Sequence, residues 1–384
     1  MNMRMLYFIF LGITLTSVSS IAQENTAIIN PFRIDIDPME RLLLVNFEND
    51  PDTLYIGFEP QVFNDTINGR GHLILGWRQD GKVDVFHEPG LKPDPDKYDI
   101  AGKGLNNMIE RALPGAIFEI NEFGVQAYYE FQDIHGRTVV ISINENNPKK
   151  SKPFGLLAPM GAAAENPSAM PLVLLHDFYF VRKKHTVMEV SIDGKQHKPD
   201  QLPIPMDWTK MSFIRYSPLP LIATLNPAYD GELTYIDVEK GEKNIRSGDY
   251  IFEFEWKDDL PSIRRIVRNN QTHPIELRFT SGFPDIKSLS DNVSLSGKFE
   301  IEGHPSTGKI IGEYTVGKKD DRITITMHSS KGWKPRPTKL SLRFLYTVAK
   351  IFRQWPTTYE WTAHIHEGDD GRYNMKSNWV RITD

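Results

Sequence analysis

Residues 153–180 read PFGLLAPMGAAAENPSAMPLVLLHDFYF. The first part is rich in Gly, Ala, Met and Pro, and the second is an apolar run in which His176 is the only basic and Asp177 the only acidic side chain. Surface loops are normally polar, so a loop this apolar is expected to pack inside the protein. The run after it predicts a central β-strand that is buried on both faces.

Alternating segments typical of strands recur along the chain, and turn dipeptides such as Asp80-Gly81 separate several of them. Helical patterns are scarce: 104–113 predicts one short helix and 339–355 the only long one. We therefore expect a mainly β fold of two tandem antiparallel β-barrels or sandwiches, with one longer amphipathic helix near the C-terminus. The predicted strands are 52–58, 72–77, 82–86, 124–132, 138–143, 172–181, 186–192, 232–238, 250–256, 275–280, 293–301, 309–316 and 322–327.

Two features divide the chain into segments. Arg4, the apolar run 5–15 and the small residues ending at Ala22 predict a signal peptide in 1–22, cleaved after Ala22, and hence an exported protein that is periplasmic or secreted. Proline-rich punctuation in 199–227 predicts a boundary near residue 228. The expected domains are an N-terminal β domain at 23–228 and a C-terminal β domain at 229–384 that includes the helix 339–355.

Composition excludes several classes of function. The chain has no cysteine, so disulfides, zinc-thiolate sites and thiol nucleophiles are excluded. A formal net charge of −5 argues against a nucleic-acid partner. Phosphate-binding loops, a nucleophile elbow and a zinc-protease motif are absent, so no cofactor is expected. His364 and His366 share one strand face at metal-ligand spacing, but the apolar opposite face favours a solvated pair, and no metal is expected.

The candidate catalytic residues are Glu165, His176 and Asp177. Strand parity places His176 and Asp177 on opposite faces, so they cannot act on one another as a dyad. In one interpretation, one of these two side chains points into a cavity beside Glu165. In the other, it is a core polar residue whose hydrogen bonds are satisfied within the protein. Glu165 is likewise either a general acid in an apolar surround or part of a solvated turn with Asn166 and Pro167.

Residues 323–358 contain no acidic side chain but many basic and aromatic ones. On a helix, one apolar stripe forms from Leu340, Phe344, Val348, Ile351 and Trp355. Arg343, Lys350 and Arg353 lie largely off this stripe. The favoured interpretation packs the stripe onto a β-sheet and leaves the charges in water. The alternative places the three cations on an anionic membrane surface, and both arrangements are compatible.

The segment FGVQAYYEF at 123–131 is followed by a turn, by TVVISI at 138–143, and then by the apolar loop and LLHDFYFV at 174–181. This order resembles the exported lipocalin-like proteins of the carotenoid hydratase superfamily. The resemblance covers mainly residues 70–225. It implies two lipocalin-like β-barrels in tandem with an apolar ligand cavity, and it includes no motif that transfers a catalytic residue.

Three hypotheses about function follow. The first is an exported lipocalin-like protein that binds a lipid or isoprenoid in its β-barrel cavity. The candidate lining residues are Tyr128, Tyr129, Met160, Met170 and Phe178. The second, which leaves open whether the protein is an enzyme, is a hydratase or isomerase that uses Glu165 with His176 or Asp177. The third is a non-catalytic envelope protein that makes peripheral membrane contact through 331–353.

Overall fold

The computed structural model describes residues 25–203, 205–206, 208–270 and 273–382. The predicted signal peptide, 1–22, lies outside these residues. The described chain is mainly β, with several sheets that include a curled half-barrel and with α-helix only near the C-terminus. The predicted fold class is therefore confirmed.

Apart from the first strand, the strands before residue 228 form two sheets that pack as a sandwich. In chain order, the strands up to this point are β1 Asn25–Ile29, β2 Ile34–Pro38, β3 Arg41–Asn46, β4 Tyr55–Asp65, β5 Gly69–Arg78, β6 Val83–His87, β7 Leu105–Glu110, β8 Ile117–Asn121, β9 Gly124–Gln132, β10 Thr138–Glu145, β11 Phe154–Ala158, β12 Met170–Arg182, β13 Thr186–Ile192, β14 Lys195–Gln196, β15 Met211–Ser217 and β16 Leu221–Leu225. The larger of these two sheets, here the N-terminal sheet, has the strand order β2-β16-β12-β15-β3-β4-β5-β6-β7, and β11 also pairs with β12. The five-stranded sheet runs β14-β13-β10-β9-β8.

The strands after residue 228, with one exception given below, form one antiparallel sheet, here the C-terminal sheet. They are β17 Tyr229–Glu232, β18 Tyr235–Glu239, β19 Asn244–Ser247, β20 Tyr250–Lys257, β21 Leu260–Arg268, β22 Ile275–Pro284, β23 Val293–Glu302, β24 Lys309–Lys319, β25 Arg322–Lys334, β26 Tyr359–Glu367 and β27 Tyr373–Arg381. The order is β17-β27-β26-β25-β24-β23-β22-β21-β20-β19. Strand β18 lies outside this sheet and pairs with β1, so the start of the described chain contributes to the C-terminal half.

Side chains of β4 alternate between the two faces of the N-terminal sheet. Phe58 and Val62 point into the core between the N-terminal sheet and the five-stranded sheet. Glu59, Gln61 and Phe63 share the opposite face, because successive side chains of a strand alternate. That opposite face, rather than the sandwich core, carries the candidate site described below.

The two halves share one apolar core. Buried side chains of β12 and β16 belong to the same cluster as those of the C-terminal sheet. Phe32, from the connection between β1 and β2, packs its ring against Phe279 and Phe283 at centroid distances of 5.1 and 4.8 Å. The strands thus divide between separate large sheets at residues 226–228, while the apolar contact between the halves is continuous.

The apolar loop, residues 159–169, lies between the halves, as its composition predicts. The Tyr359 hydroxyl donates a hydrogen bond to the Gly161 carbonyl at 2.6 Å, and Trp355 Nε1 donates to the Met160 carbonyl at 3.0 Å. Gly161 has a φ of +73°, and a Cβ there would lie 2.6 Å from the Tyr359 hydroxyl oxygen. Side chains of the C-terminal half therefore satisfy the main chain of a loop that has few polar groups of its own.

The helix predicted at 104–113 is wrong. Residues Leu105–Glu110 form β7, which pairs in parallel with β6 at the edge of the N-terminal sheet. Asn106 and Asn107 donate hydrogen bonds to Asp84 Oδ1 at 3.0 and 2.8 Å, which ties the segment to its neighbouring strand. Tertiary pairing of this kind overrides a short local pattern.

The long helix predicted at 339–355 is divided into α1 Leu340–Val348 and α2 Lys350–Gln354, because Ala349 is extended with a ψ of 110°. The interpretation that packed the whole apolar stripe onto a sheet is wrong. Four of its members are exposed, namely Leu340, Phe344, Val348 and Ile351. The helices are held by a different face, with Leu342 and Tyr346 buried, and Trp355 is the one stripe member that is buried. None of the described helices is long and apolar enough to cross a membrane.

Candidate functional site

An apolar cavity of about 110 Å³ lies on the face of the N-terminal sheet that points away from the sandwich core. Strands β3, β4, β5, β12 and β16 supply its floor, and the segment 91–101, which includes the 3₁₀ helix Pro95–Tyr98, lies across it. Its apolar walls include Leu42, Phe63, Leu73, Leu75, Met160 and Val173. Such a concave apolar site with few polar groups is the usual form of a small-molecule site.

Glu59 is the buried carboxylate of this cavity, with only 2% of its surface exposed. Gln61 Nε2 donates to Glu59 Oε1 at 2.9 Å, and Trp77 Nε1 donates to Oε2 at 3.1 Å. Burial raises the pKa of Glu59 to about 7, and these hydrogen bonds and the charge of Arg215 only partly oppose it. Near neutral pH the carboxyl group is therefore about half protonated, so it can either donate or accept a hydrogen bond or a proton.

The Arg215 guanidinium does not neutralise Glu59 through a direct ion pair in the described part of the chain. It lies over the Phe213 ring at 4.0 Å from the centroid and donates to the Asn46 side chain. Burial lowers the pKa of Arg215 to about 10. The cost of burying the Glu59 charge is thus only partly compensated, which is typical of sites where a carboxyl group has a function.

A wide groove of about 1080 Å³ continues from the cavity toward the surface, and the two share Asp37, Lys97, Ile100 and Ile222 among their lining residues. Six of the side chains that line the groove are carboxylates and three are lysines. The apolar part of its lining comes from residues such as Ile36, Leu105 and Ala169. The groove therefore has an apolar floor and a negatively charged rim, which disfavours anionic ligands.

Two hydrogen bonds fasten the cavity-covering segment to the apolar loop. The Ser168 hydroxyl and main-chain N–H donate to Asp99 Oδ1 and Oδ2 at 2.9 and 3.0 Å. The groove opens between these two segments, because residues of both line it. A ligand that occupies it must therefore contact the covering segment and the apolar loop together.

The structure places the three predicted catalytic residues in two different surroundings. Glu165 is exposed on the rim of the groove, in water rather than in an apolar surround. His176 is buried and Asp177 is half-buried, and neither is among the described residues that line the groove or the cavity. No contact of the described chain joins either of them to Glu165, so their joint catalytic role stays a prediction.

Of the predicted ligand-lining residues, Met160 lines the cavity. Tyr129 is fully buried in the sandwich core, where its hydroxyl is 3.0 Å from His72 Nδ1. Tyr128 is half-buried and donates to Glu130 Oε2 at 2.6 Å. Met170 and Phe178 are buried in the core that the two halves share. Strand parity explains why Tyr129 does not line the cavity, because β9 lies in the five-stranded sheet and points this side chain toward the sandwich core.

Sequence reasoning missed Glu59. The predicted strand 52–58 ends one residue before it. Pro60 lacks the N–H that a central strand normally donates, so the local sequence does not favour a longer strand. In the structure Pro60 lies opposite Ile74 within a continuous β4. The sequence indicates a carboxylate on the same strand face as Gln61 and Phe63 only if the predicted strand is extended through Pro60.

His176 lies in a cluster of three imidazoles between the halves. Its ring centroid is 4.7 Å from that of His273 and 5.2 Å from that of His304, and the latter two are 4.2 Å apart. The His176 Nδ1 atom is buried, with no hydrogen-bond partner among the described residues, and the charge of Asp177 acts on both His176 and His304. Among the described residues, no group of His, Asp and Glu is arranged to hold a metal ion. The three rings bring side chains of the two halves into contact.

We expect His176 to make the protein sensitive to acid. Burial, followed by the neighbouring imidazoles, lowers the pKa of His176 below its ordinary value of 6.5 and outweighs the opposing effect of Asp177. Below that ordinary value the unfolded chain takes up a proton that the folded chain resists, so stability falls as the pH falls. The change in urea midpoint on going from neutral to mildly acidic pH, to which Glu59 contributes in the opposite direction, should be less destabilising in His176→Gln than in wild type. It should be unchanged in His364→Gln, which alters an exposed imidazole; equal acid sensitivity in all three proteins would contradict the prediction.

Comparison of the chain with protein-family models, with curated proteins and with solved structures found no match. The resemblance to lipocalin-like proteins of the carotenoid hydratase superfamily therefore stays a prediction. The function proposed below is argued from the cavity, the groove and Glu59.

Proposed function

We propose that the protein binds a neutral, largely apolar small molecule, such as an isoprenoid alcohol or a neutral lipid, with its polar end at Glu59. The observation that carries this proposal is the burial of the Glu59 carboxyl group in an apolar cavity. A hydroxyl group of the ligand would supply the hydrogen bond that water supplies to an exposed carboxylate.

The sizes of the two spaces support a ligand that lies across both. Pockets that enclose a whole drug-sized ligand have volumes of roughly 300–1,000 Å³. The cavity of about 110 Å³ has room for one end of such a molecule, and the groove of about 1080 Å³ has room for the remainder. The ligand would then run from Glu59 along the apolar floor of the groove toward its charged rim.

The charges favour a neutral polar end over an acidic one. Glu59 is able to donate a hydrogen bond when protonated and to accept one when ionised, and an alcohol suits both states. A fatty acid would place a second carboxylate beside Glu59 and pass it along a rim where carboxylates outnumber lysines. Like charges held together in a poorly solvated site are unfavourable.

The test compares retinol with retinoic acid, which share a carbon skeleton and differ at the polar end. Fluorescence titration near pH 7 should show retinol binding at least about tenfold more tightly, a difference of about 1.4 kcal/mol. Ala101→Phe, which fills the cavity, should abolish retinol binding. Ala163→Phe is the matched control, because Ala163 is exposed in the apolar loop and lines neither space. Equal binding by both variants, or none by the wild type, would refute the proposal.

An acid–base enzyme acting on the same ligand is the second candidate, because a pKa of about 7 suits a general acid or base at neutral pH. This keeps the hydratase or isomerase hypothesis and adds Glu59 to Glu165 as a candidate acid. If it is correct, incubation with an isoprenoid alcohol should yield a hydrated or isomerised product detectable by mass spectrometry and chromatography. Loss of product in Glu59→Gln but not in Glu165→Gln would assign the acid, and recovery of unchanged alcohol would leave binding alone.

A further inference from the structure

We infer that α1 and α2, together with Trp208 and a neighbouring lysine-lined cleft, form a surface that docks on an anionic lipid bilayer. This interaction is independent of the proposed ligand site, so either proposal can fail without the other.

The apolar part of this surface is the exposed stripe, which consists of Leu340, Phe344, Val348 and Ile351. Leu340 is 85% exposed and the other three are between 45% and 55% exposed. Leu340, Phe344 and Val348 recur at helical spacing, so they lie on one face of α1, and Ile351 adds an exposed apolar side chain from α2. An exposed apolar patch of this kind marks a site of interaction with a protein or a membrane.

The helices cannot easily turn the exposed stripe inward. The Tyr346 hydroxyl donates to the Gly155 carbonyl at 2.9 Å, and its ring packs on Trp333 and Phe352 at centroid distances of 5.0 and 5.1 Å. Leu342 is buried beside it on the inner side. These contacts fix which face of the helices meets the protein, and they leave the exposed stripe in water.

The charged side chains of the segment that carries the exposed stripe are all basic. Arg343, Lys350 and Arg353 are exposed, and in the described part of the chain none of them has an acidic partner within ion-pair distance. Residues 323–358 contain no acid, although the whole protein has a net charge of −5. A locally basic surface on an acidic protein indicates a negatively charged partner.

The basic surface continues past the start of α1. Lys339 Nζ lies 4.0 Å from the centroid of the Phe154 ring. Phe154 in turn lines a cleft of about 370 Å³ whose other lining residues include Lys149, Lys150, Lys152 and Trp208. Trp208 is fully exposed. Tryptophan side chains are enriched at the level of lipid headgroups, and lysines attract anionic lipids.

A bilayer fits this surface better than a second copy of the chain. A symmetric dimer through the exposed stripe would bring Arg343, Lys350 and Arg353 close to the same residues of its partner. At a bilayer the apolar side chains enter the boundary between headgroups and acyl chains, while the cations meet lipid phosphates. The helices also end next to the ligand cavity, because Trp355, directly after α2, is hydrogen-bonded to Met160 of the cavity wall.

The test is flotation of residues 23–384, the chain without its predicted signal peptide, with phosphatidylcholine vesicles that contain or lack phosphatidylglycerol. Wild type should bind only the vesicles that contain phosphatidylglycerol. Binding should also shift the tryptophan fluorescence emission of the protein to shorter wavelength, and Trp208→Phe should remove most of that shift. The triple variant Arg343→Glu/Lys350→Glu/Arg353→Glu should lose at least tenfold in binding, as should Phe344→Ser/Val348→Ser. The matched control Lys195→Glu/Arg246→Glu/Lys257→Glu makes the same change of net charge at exposed positions elsewhere and should bind like wild type.

Circular dichroism melts of all variants identify any that are unfolded. Equal flotation of wild type and the Arg343/Lys350/Arg353 variant, or no flotation of wild type, would overturn the inference. A wild-type dimer in sedimentation experiments that Phe344→Ser/Val348→Ser converts to a monomer would also overturn it, in favour of a second copy as the occupant. Retinol titration of the same variants should be unchanged, which separates this surface from the ligand site.

Discussion

The Glu59→Gln variant should be more stable than wild type by about 3 kcal/mol at about pH 8. The pKa of Glu59 is raised from an ordinary 4.5 to about 7 by burial, so the folded chain holds this proton more tightly than the unfolded chain does. The side chain therefore costs no stability below about pH 4.5, and the cost grows between about pH 4.5 and about pH 7 and is nearly complete at about pH 8. Gln is neutral at every pH and avoids that cost.

Urea unfolding at about pH 5 and about pH 8 measures this effect. The stability gain of Glu59→Gln should be large at the higher pH and small at the lower one. Glu165→Gln is the control, because Glu165 is exposed, and it should match wild type at both pH values. A gain for Glu59→Gln that is the same at both pH values would show that Glu59 is not a buried acid that titrates near neutrality.

The same variant connects stability with function. If Glu59 contacts the ligand, Glu59→Gln should gain stability and lose affinity for retinol together, since polar groups at functional sites are commonly kept at the expense of stability. A variant that gains stability and binds retinol normally would assign Glu59 to the fold alone. The retinol titration of Ala101→Phe would then decide by itself whether the cavity binds a ligand.

The second large effect is expected from Arg182→Leu, which should lower the free energy of unfolding by about 3–5 kcal/mol. Arg182 Nε donates to Glu145 Oε1 at 2.6 Å, and Glu145 is fully buried. Arg182 Nη2 also donates to the Phe123 carbonyl at 3.1 Å. Removal of the cation leaves a buried carboxylate without a counter-charge, which costs far more than the intact pair contributes.

Thermal and urea unfolding of the single and double variants separate these terms. Arg182→Leu/Glu145→Leu should recover most of the stability that Arg182→Leu loses, because the second substitution removes the unpaired charge. A loss below about 1 kcal/mol in the single variant would show that water reaches Glu145 in the folded protein. Arg182 is also part of the lysine-lined cleft, so the double variant offers a stable background for the flotation experiment.

The sequence predicts β12 well. Its uninterrupted apolar run requires burial on both faces, and in the structure it pairs with β11, β15 and β16 inside the N-terminal sheet. Parity along it predicts that His176 and Asp177 lie on opposite faces, and this stays a prediction, because the pairing of β11 with β12 shifts register between Leu175 and Phe178. The apolar loop before it is also predicted to be buried, since composition alone disfavours its exposure.

Which face of a helix is buried was not predictable in the same way. The stripe from Leu340 to Trp355 and the face that carries Leu342 and Tyr346 are both apolar enough to pack. The contacts of Tyr346 with Gly155 and Trp333 decide between them, and these residues come from distant parts of the chain. The structure therefore contradicts the favoured interpretation, and the apolar side chains left in water form the surface that we infer to dock on a bilayer.

By itself the sequence determined the mainly β class, the buried central strand and the basic character of the segment around α1 and α2. These are local properties, because alternation, apolar runs and the absence of acids are read from neighbouring residues. Only the tertiary structure decided that Glu59 is buried, that Glu165 is exposed, and that His176 meets His273 and His304. Burial of a polar side chain depends on which strands and segments fold over it, and residues far apart in the chain supply that cover.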